Sequence, residues 1–386
     1  MIVAIPKEIV TGESRVAAVP ATVKELVKKG MTVHVEAGAG VASFIADADY
    51  EAAGATIVKD TAQLYAKADM ILKVNSPTNN EKLGKHEIDL IKDGSYYVSF
   101  LQSTKETDIV ERLLKKKITA FSMHLVPRTT LAQKMDALSS QANIAGYKAV
   151  LIGASAISVY MPLLMTAAGT IKPAKVLILG AGVAGLQAIA TAKRLGAQVE
   201  AFDVRPEVKE QVESLGAKFV EVAADADDGV GTGGYAKETS EDYKKRQQAM
   251  IKEHIAKSDL VITTALIPGR PAPILIPEDM VKGMRPGSVI IDLAAENGGN
   301  CALTEMDKIV EKYGVIINGQ LNLPGTMSVH ASQLYAKNIS AFVTYFCSEG
   351  KVNLDLEDEI ISGAMFTHNG EITHAPTKQA LSKRGA

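Results

Sequence analysis

Short apolar runs alternate with amphipathic segments along most of this chain, which is the pattern of strands and helices in a parallel α/β layer. In the N-terminal part, the helical spacing of apolar residues predicts helices such as 21–29 and 106–116. The strands predicted around them cover residues 2–5, 32–36, 70–74, 96–101 and 119–122. Residues 127–140 then break the alternation, so we expect a first α/β domain to end near this segment.

A second series of strands and helices follows a long helical stretch. Its predicted strands cover residues 176–179, 199–202, 219–222, 260–263, 289–293 and 315–317. Residues 328–346 then have helical apolar spacing without a further strand and helix series, so the tail is expected to return to the first domain. The predicted fold class is α/β, with two Rossmann-like, doubly wound parallel-sheet domains. The first domain covers 1–138 and 326–386, completed by the C-terminal segment, and the second covers 139–325.

Residues 149–171 carry no charge over a length that could cross a bilayer. The run contains serine, threonine, tyrosine and proline, and it continues within a few residues into an apolar strand. A membrane-spanning helix would need a connecting segment before the next strand of a soluble domain, and the sequence leaves no room for one. We therefore interpret the run as a buried helix rather than a membrane span.

The composition limits the classes of function. The chain has 386 residues, more than one core usually supports, and its 47% hydrophobic and 22% charged residues are ordinary for a globular protein. A formal net charge of −2 gives no basic excess for nucleic acid. Cys301 and Cys347 are far apart and the seven histidines are scattered, which argues against a disulfide framework or a metal site. A cytoplasmic protein fits these features.

One glycine-rich turn carries the clearest chemical signal. An apolar strand runs into Gly180, Gly182, Val183 and Gly185, and a helix follows. In a G-x-G-x-x-G turn the first glycine permits the tight bend, the second lets the backbone approach a pyrophosphate, and the third lets the helix pack close to the strand. The N–H groups at the helix start are available to phosphate. The pattern predicts a dinucleotide site, and the alternative is a glycine turn without a ligand.

Two charged residues at the end of the next strand bear on which dinucleotide is bound. Asp203 lies about 20 residues beyond the turn, where a carboxylate accepts hydrogen bonds from ribose hydroxyls and repels a 2′-phosphate. This favours NAD(H) over NADP(H). Arg205 is a reservation because it could accept a 2′-phosphate, although an exposed arginine at a helix start would also explain it.

Two loops that follow later strands are expected at the carboxyl edge of the sheet, where ligands bind in open α/β folds. Thr264 and Ala265 lie in a loop stiffened by prolines, and Glu296 and Asn297 lie in a loop that ends in glycines. Both loops could line a nicotinamide pocket. For Asp292 and Glu296, capping of a strand end is an equally good explanation.

The segment that interrupts the first domain gathers polar groups of mixed character. Arg128, Gln133, Asp136 and Ser139 suit a carboxamide and riboses at a crossing between domains, although helix capping alone would also explain them. Residues 224–235 form a second polar tract, acidic and rich in glycine, that is too polar to pack. We expect this tract to be mobile, either as a linker or as a flap over a ligand.

Over essentially its whole length, the sequence resembles the NAD(H)-binding component, called domain I or the α1 subunit, of proton-translocating NAD(P) transhydrogenase. The resemblance rests on eight segments spread along the chain. They are 6–8, 15–17, the loop from Arg128 to Ser139, 145–147, 180–185, 234–237, 263–273 and 292–301.

The resemblance implies roles for individual residues. Arg128, Asp136 and Ser139 would hold the carboxamide or ribose of NAD(H). Gln133 would reach toward NADP(H) on the partner. These four residues are therefore the ones expected to act in hydride transfer, and Asp203 would hold the adenosine ribose.

The resemblance also implies a closing flap that carries Gly234 and Tyr235, and a set of partners. The family component is a homodimer that works with an NADP(H)-binding component and a membrane-spanning proton-channel component. The activity implied is that of a Re/Si-specific, proton-translocating NAD(P)+ transhydrogenase, in which hydride passes directly from NADH to NADP+ on the partner. The chain would be cytoplasmic and peripheral at the inner membrane through its partner subunits.

Alanine dehydrogenase is similar in its two-domain plan and is the main competing assignment. Arg15 and Lys73 match pyruvate-binding positions of that family, but its catalytic histidine corresponds to Gln102 and its loop aspartate to Glu296. Gln102 cannot exchange a proton near neutral pH, and the loop with Arg128 has no counterpart there. Hydride transfer between nucleotides needs no such acid or base, so the sequence favours a transhydrogenase component. The non-enzymatic alternative is a module that senses NAD(H).

Overall fold

The computed structural model describes residues 1–221, 241–267 and 270–384. The chain divides into two units, Met1–Gln141 with Pro324–Ala386, and Ala142–Leu323. In each unit, the central strands are short apolar runs that are buried on both faces, as expected for parallel sheets covered by helices.

The N-terminal segment mostly alternates short strands and helices, apart from two polar strands of two residues each, Asn79–Asn80 and Lys85–His86, which pair with each other. Its strands are β1 (Ile2–Ile5), β2 (Thr32–Glu36), β3 (Thr56–Val58), β4 (Met70–Leu72), β5 (Asn79–Asn80), β6 (Lys85–His86), β7 (Tyr96–Ser99) and β8 (Thr119–Ser122). Its helices are α1 (Pro20–Lys28), α2 (Asp47–Ala52), α3 (Thr61–Lys67), α4 (Glu87–Leu90) and α5 (Thr107–Lys115). The sequence pattern did not predict β3, because Thr56 is polar and exposed and the apolar run is only Ile57 and Val58, which are half-buried.

The helix α6 (Ala137–Ala156) leads from the first unit into the second, which again alternates strands and helices. The strands of this segment are β9 (Leu164–Thr166), β10 (Gly169–Ile171), β11 (Lys175–Leu179), β12 (Gln198–Phe202), β13 (Lys218–Phe219), β14 (Leu260–Thr263), β15 (Val289–Asp292), β16 (Ile309–Lys312) and β17 (Val315–Asn318). Its further helices are α7 (Val183–Arg194), α8 (Lys209–Ser214), α9 (Glu241–Lys257) and α10 (Glu278–Lys282).

The C-terminal segment returns to the first unit. Its elements are α11 (Ser328–Phe346), β18 (Cys347–Ser348), β19 (Lys351–Val352), α12 (Glu359–Ala364), β20 (Met365–His368), β21 (Glu371–Ile372) and α13 (Ala375–Arg384). Aromatic packing holds α11 on the first sheet, because Phe121 of β8 lies 5.4 Å from Phe342 and 5.1 Å from Phe346 between ring centroids. The predicted helix 328–346 is confirmed.

The first sheet has the order β3-β2-β1-β4-β7-β8-β20-β21. Its first six strands are parallel, and the chain reverses its direction of travel across the sheet between β1 and β4. The strands β20 and β21 join antiparallel to this layer. The C-terminal segment therefore completes the first sheet, as predicted, but makes it mixed rather than wholly parallel.

The second sheet has the order β13-β12-β11-β14-β15-β17-β16. Six of its strands are parallel, and β16 is antiparallel to β17 at one edge. The reversal point lies between β11 and β14. The predicted α/β class with two Rossmann-like, doubly wound sheets is thus confirmed, with antiparallel strands at an edge of each sheet.

The prediction of one buried helix over residues 149–171 is wrong. The helix α6 ends at Ala156, and β9 and β10 form an antiparallel hairpin that pairs Leu164 with Ile171. A continuous helix is blocked because Pro162 lacks an N–H, and Gly169 takes a φ of +131° in the hairpin. Within the described parts of the chain, no helix is both long and apolar enough to cross a membrane.

Candidate functional site

The turn between β11 and α7 lies at the reversal point of the second sheet. Gly180 follows β11 with a φ of +105°, a backbone conformation that favours glycine. The Thr264 hydroxyl, just beyond β14, donates a hydrogen bond to the Gly180 carbonyl at 3.0 Å. The carboxyl ends of the two strands that flank the reversal point are therefore in contact, which is the usual place for a ligand crevice in this type of sheet.

The other two glycines of the turn differ in what surrounds them. Gly182 caps the N-terminus of α7, and a Cβ added there would have no atom within 4 Å. A Cβ on Gly185 would lie only 1.9 Å from the Gly180 carbonyl oxygen. Gly182 thus leaves open space in front of the helix start, whereas Gly185 lets α7 approach β11.

The start of α7 presents its backbone to this open space. Its first residue, Val183, is 38% exposed, and the first backbone bond of the helix runs from the Leu186 N–H to the Gly182 carbonyl at 2.8 Å. The N–H groups before Leu186 have no carbonyl acceptor within the helix and can receive an anionic ligand. The residues present therefore fit the pyrophosphate of a dinucleotide.

Asp203 follows β12 beside this turn, and its carboxylate accepts four hydrogen bonds. Oδ2 accepts from the Ala181 N–H at 2.7 Å and from Arg205 Nη2 at 2.9 Å. Oδ1 accepts from the Arg205 N–H at 2.9 Å and from its Nε at 3.0 Å. These bonds take up about all the lone-pair positions of a carboxylate. A ribose hydroxyl that binds Asp203 must therefore replace one of these bonds, and those from the half-exposed Arg205 side chain are the ones open to solvent.

The same contacts set the charge of Asp203. Burial by itself raises the pKa of this carboxyl, but the hydrogen bonds from Arg205 and from the Ala181 N–H outweigh burial and lower the pKa below its ordinary value. The group is therefore an anion at neutral pH. Arg205 reaches it from the surface, where the arginine side chain is 50% exposed.

The loop after β14 is held in place by Asn300, which is fully buried. The Ala265 N–H donates to Asn300 Oδ1 at 3.0 Å, and Asn300 Nδ2 donates to the carbonyls of Ala265 at 2.9 Å and Pro273 at 2.8 Å. Thr264 and Ala265 are half-buried. Asn300 was not among the predicted site residues, although its place just after two glycines in the loop that follows a strand was a usable signal.

Asp292 at the end of β15 organises the neighbouring loop. Its carboxylate accepts hydrogen bonds from five donors, one at the end of β14 and four in the loop that follows β15. They are the Thr263 hydroxyl, the N–H groups of Ala294, Asn300 and Cys301, and the Thr304 hydroxyl, at 2.7 to 3.1 Å. Of the two explanations left open for Asp292, capping of the strand end describes these contacts.

The two predicted site residues of this loop lie on a short 3-10 helix, Ala295–Asn297. Glu296 is exposed, and Asn297 is half-buried. The Asn297 carbonyl accepts from the Ala272 N–H at 2.8 Å, which ties this helix to the loop that follows β14. The described part of the second unit thus brings together at one sheet edge the glycine turn, Asp203, and both loops.

The segment from Arg128 to Ser139 belongs to the first unit. Arg128 and Gln133 are exposed. Gln133 begins a 3-10 helix, Gln133–Met135, whose backbone is fixed because Asn338 Nδ2 of α11 donates to the Lys134 carbonyl at 2.8 Å. The structure therefore holds an exposed glutamine on a firmly attached turn.

Asp136 and Ser139 form the N-terminal cap of α6. The Ser139 N–H donates to Asp136 Oδ1 at 2.9 Å, and the Ser139 hydroxyl donates to Oδ2 at 2.6 Å. This is the capping geometry that the sequence left open as an alternative. Both side chains are half-buried, so the cap also presents a carboxylate and a hydroxyl at the surface of the first unit.

The reversal point of the first sheet is filled by charged groups of the chain itself. Lys73 follows β4 and is fully buried, and its Nζ donates to both carboxylate oxygens of Glu87 at 2.8 and 2.6 Å. Glu8, which follows β1, lies 3.7 Å from the same Nζ. Burial lowers the pKa of Lys73, but Glu8 and Glu87 outweigh it and raise the pKa. Lys73 is thus a buried cation with internal counter-ions.

Several predicted residues lie outside the described residues. They are Gly234 and Tyr235, together with the rest of the tract 224–235. The expectation of a flap or linker there stays a prediction.

Comparison with known proteins identifies the family. Residues 4–145 match the family model described as the N-terminal domain of alanine dehydrogenase/PNT, and residues 149–375 match the model of its C-terminal domain. A protein of Rhodospirillum rubrum, named as the first part of NAD(P) transhydrogenase subunit alpha, is 51% identical over 389 residues, with 100% of both chains covered.

A solved structure of a transhydrogenase from Sinorhizobium meliloti superposes with a TM-score of 0.86 at 45% identity, covering 96% of this chain and 100% of that one. Alanine dehydrogenase of Staphylococcus saprophyticus is a more distant relative, 31% identical with 99% of this chain and 97% of that protein covered. The resemblance stated from the sequence is therefore confirmed. The chain belongs to the NAD(P) transhydrogenase alpha subunits, within the wider family that they share with alanine dehydrogenases.

Proposed function

We propose that this chain binds NAD(H) in its second unit and passes hydride directly between it and NADP(H) held by a separate component. The observation that carries the proposal is the turn at the reversal point. Its first glycine has a positive φ, its second faces open space and its third touches the strand, so each meets a different requirement of a dinucleotide turn. The 51% identical relative is named as belonging to a transhydrogenase subunit, which supports the same assignment.

In this proposal the second unit holds the nucleotide through groups that converge on one sheet edge. Gly182 and Val183 receive the pyrophosphate, and Asp203 accepts the hydroxyls of the adenosine ribose after Arg205 shifts. Thr264 and Ala265, with Glu296 and Asn297, line the nicotinamide end. The negative charge of Asp203 disfavours a 2′-phosphate, so the site selects NAD(H) over NADP(H).

The nicotinamide ring supplies the hydride, and the protein supplies its position. Hydride transfer between two nicotinamide rings takes up no proton at the reacting carbons, so the chain needs no general acid or base. We assign Arg128, Asp136 and Ser139 to the carboxamide or ribose of NAD(H). We assign the exposed Gln133 to the approach of NADP(H), because correct placement of the two rings makes the main contribution to the rate.

We further propose that this chain works in an assembly with an NADP(H)-binding component and a membrane-spanning component that carries the protons. The name of the Rhodospirillum relative describes one portion of a subunit, which supports a division of the enzyme into several chains. This chain would then lie at the cytoplasmic side of the inner membrane and be attached through its partners.

A homodimer is the proposed state of the chain, and the hairpin of β9 and β10 supports it. Met165 is 72% exposed, and Leu163 and Tyr160 beside it are 53% and 55% exposed. A two-stranded hairpin is marginally stable by itself and needs an apolar surface to pack on. A second copy of the chain offers that surface. Met165→Asp should therefore shift the sedimenting species from dimer toward monomer.

The matched control for this test is Met306→Asp. Met306 is 59% exposed in the same unit but lies outside the hairpin, so its substitution should leave the sedimentation unchanged. A wild-type chain that sediments as a monomer would contradict the proposed dimer. Equal dissociation of both variants would argue against the hairpin as the contact.

The direct test of the proposed function is reconstitution with an NADP(H)-binding component from a relative. Transfer is followed with an NAD+ analogue whose reduced form absorbs at a different wavelength from NADPH. We expect reduction of the analogue by NADPH only when both proteins are present. Binding of NADH without transfer in the mixture would favour the alternative of a module that senses NAD(H).

A further inference from the structure

One fully buried asparagine in the second unit fixes both ends of a single loop. The side-chain amide of Asn300 accepts from the Ala265 N–H and donates to the carbonyls of Ala265 and Pro273, at 2.8 to 3.0 Å. The backbone carbonyl of Asn300 accepts from the N–H groups of Leu275 and Ile276 at 2.8 and 2.9 Å. The loop that follows β14 is therefore bonded to this residue where it leaves the sheet and again where it returns.

Asn300 is itself anchored on the sheet. Its backbone N–H donates to Oδ2 of Asp292, the last residue of β15, at 2.8 Å. The next residue, Cys301, donates its N–H to the same oxygen at 3.1 Å. The backbone of Asn300 is thus tied to β15 by contacts that do not involve its side-chain amide.

The pairing with Ala265 resembles a contact between strands. One side-chain amide bonds both the N–H and the C=O of Ala265, just beyond the end of β14. The residue before it, Thr264, donates its hydroxyl to the Gly180 carbonyl at 3.0 Å. A series of hydrogen-bonded residues therefore leads from Asp292 through Asn300 to the glycine turn.

The loop has few buried apolar side chains that could define its path. Leu266 and Ile267, directly after Ala265, are 53% and 45% exposed, and Ile274 is 50% exposed. Buried and fully bonded polar groups fix one arrangement strictly, because another arrangement leaves a buried group without its partner. The hydrogen bonds of Asn300 therefore set the path of this loop.

We propose that Asn300 is a positioning residue for the nicotinamide end of the dinucleotide site, where it acts through Thr264 and Ala265. This role rests on the proposed NAD(H) site of the second unit. The hydrogen bonds of Asn300 run to the regions after β14 and β15, whereas Asp203 follows β12 on the other side of β11. Loss of the amide should therefore weaken binding at the nicotinamide end and leave the adenosine end unchanged.

The test compares NADH with 5′-AMP, which contains the adenosine half of the dinucleotide without the nicotinamide. Both affinities are measured by calorimetric titration of the full chain. In Asn300→Ala we expect NADH affinity to fall by about tenfold or more, because only a fraction of the molecules then has the loop in its binding conformation. The affinity for 5′-AMP should stay within about twofold of the wild-type value.

Asn318→Ala is the matched control. Asn318 is also a buried asparagine, at the carboxyl end of β17 in the same sheet, but its side-chain amide bonds with Gln320 only two residues away. Its substitution should lower the stability of the chain in urea without a loss of NADH affinity. An asparagine at position 300 with a merely structural role would give the same result as this control.

Equal losses of NADH and 5′-AMP affinity in Asn300→Ala would show a general loosening of the second unit and would overturn the role. Unchanged NADH affinity would overturn it as well. A wild-type chain that binds no NADH would instead contradict the proposed function, and with it this role. If Asn300→Ala does not fold, Asn300→Ser is measured in its place. Its hydroxyl fills part of the space but has one donor where the amide has two, so the same loss of NADH affinity is expected.

Discussion

Substitutions of single glycines in the turn should affect the stability of the chain and its affinity for NADH differently. Gly182 faces open space, so Gly182→Ala should change the free energy of unfolding by no more than about 1 kcal/mol. Its methyl group would stand where the pyrophosphate approaches, so we expect NADH affinity to fall about tenfold or more. Unfolding in denaturant and equilibrium dialysis measure the two effects.

Gly185→Ala is the matched substitution with the opposite expectation. Its Cβ would lie 1.9 Å from a backbone oxygen, and the turn must move to relieve the clash. We expect a loss of stability of about 3 kcal/mol or more. Equal stability of the two alanine variants would mean that the turn is not packed as described.

At Asp203 the expectation concerns nucleotide affinity and selectivity. Asp203→Ala should lower NADH affinity by about 1–3 kcal/mol, because a charged hydrogen-bond acceptor for the ribose is lost. The wild-type chain should bind NADH more tightly than NADPH in equilibrium dialysis. Arg205→Ala serves as the comparison, since it frees the carboxylate and should leave NADH binding intact. Equal affinity for NADH and NADPH would show that Arg205 dominates over Asp203.

In the loop from Arg128 to Ser139, we compare substitutions at several positions, because we assign different roles to its residues. Gln133 is exposed on a turn whose neighbours are fixed. Gln133→Ala should therefore leave NADH affinity nearly unchanged but slow hydride transfer to the partner by about tenfold or more. Arg128→Ala should weaken both. Loss of NADH affinity in the Gln133 variant as large as its loss of rate would place Gln133 within the NAD(H) pocket.

The N-terminal cap of α6 gives this loop a structural role as well. Asp136→Ala removes two hydrogen bonds to Ser139 and should destabilise the chain by about 0.5–2 kcal/mol. Asp136→Asn keeps an oxygen for the Ser139 N–H and should restore most of the stability. If the carboxylate also holds a carboxamide or ribose, Asp136→Asn will remain slow in transfer although its stability is restored.

At the scale of the whole molecule, one buried histidine affects the response to pH. Burial in the first unit lowers the pKa of His124 to about 4, and the ring packs 4.7 Å from Phe100. In the unfolded chain, the imidazole of His124 is protonated near pH 6.5, whereas in the folded chain it stays neutral down to about pH 4. Stability from the neutral ring is therefore complete above pH 6.5 and is lost as the pH falls toward 4. The loss amounts to about 3 kcal/mol at most.

His124→Asn should therefore reduce the dependence of unfolding free energy on pH between 6.5 and 4. The exposed His330 on α11 provides the control, and His330→Asn should keep the wild-type dependence. The measurement is urea unfolding at a series of pH values. A wild-type slope in the His124 variant would show that other groups cause the pH dependence.

We expect that free amino acids are not substrates of this chain. The amide of Gln102 cannot exchange a proton near neutral pH, and the Arg15 guanidinium is already hydrogen-bonded to the Glu13 carboxylate. We expect no oxidation of NADH by pyruvate with ammonium. Vigorous oxidation under those conditions would contradict the assignment to nucleotide substrates.

The sequence by itself determined the features that depend on neighbouring residues. Strand and helix periodicity, the spacing of Gly180 to Gly185 and the position of Asp203 all act over short stretches, so pattern and turn chemistry were enough to predict two Rossmann-like sheets and a dinucleotide turn. The hairpin of β9 and β10 escaped this reasoning because an uncharged run has no clear period.

Only the tertiary structure decided which polar groups meet. The chain path brings β20 to β8, Gln141 to Arg15, and Asp292 to Thr263 across 29 residues of sequence. It also decided that Arg205 is hydrogen-bonded to the carboxylate of Asp203 and that Arg15 is hydrogen-bonded to the carboxylate of Glu13. Such pairings depend on distance and burial after folding, and a linear pattern of residue types does not contain either quantity.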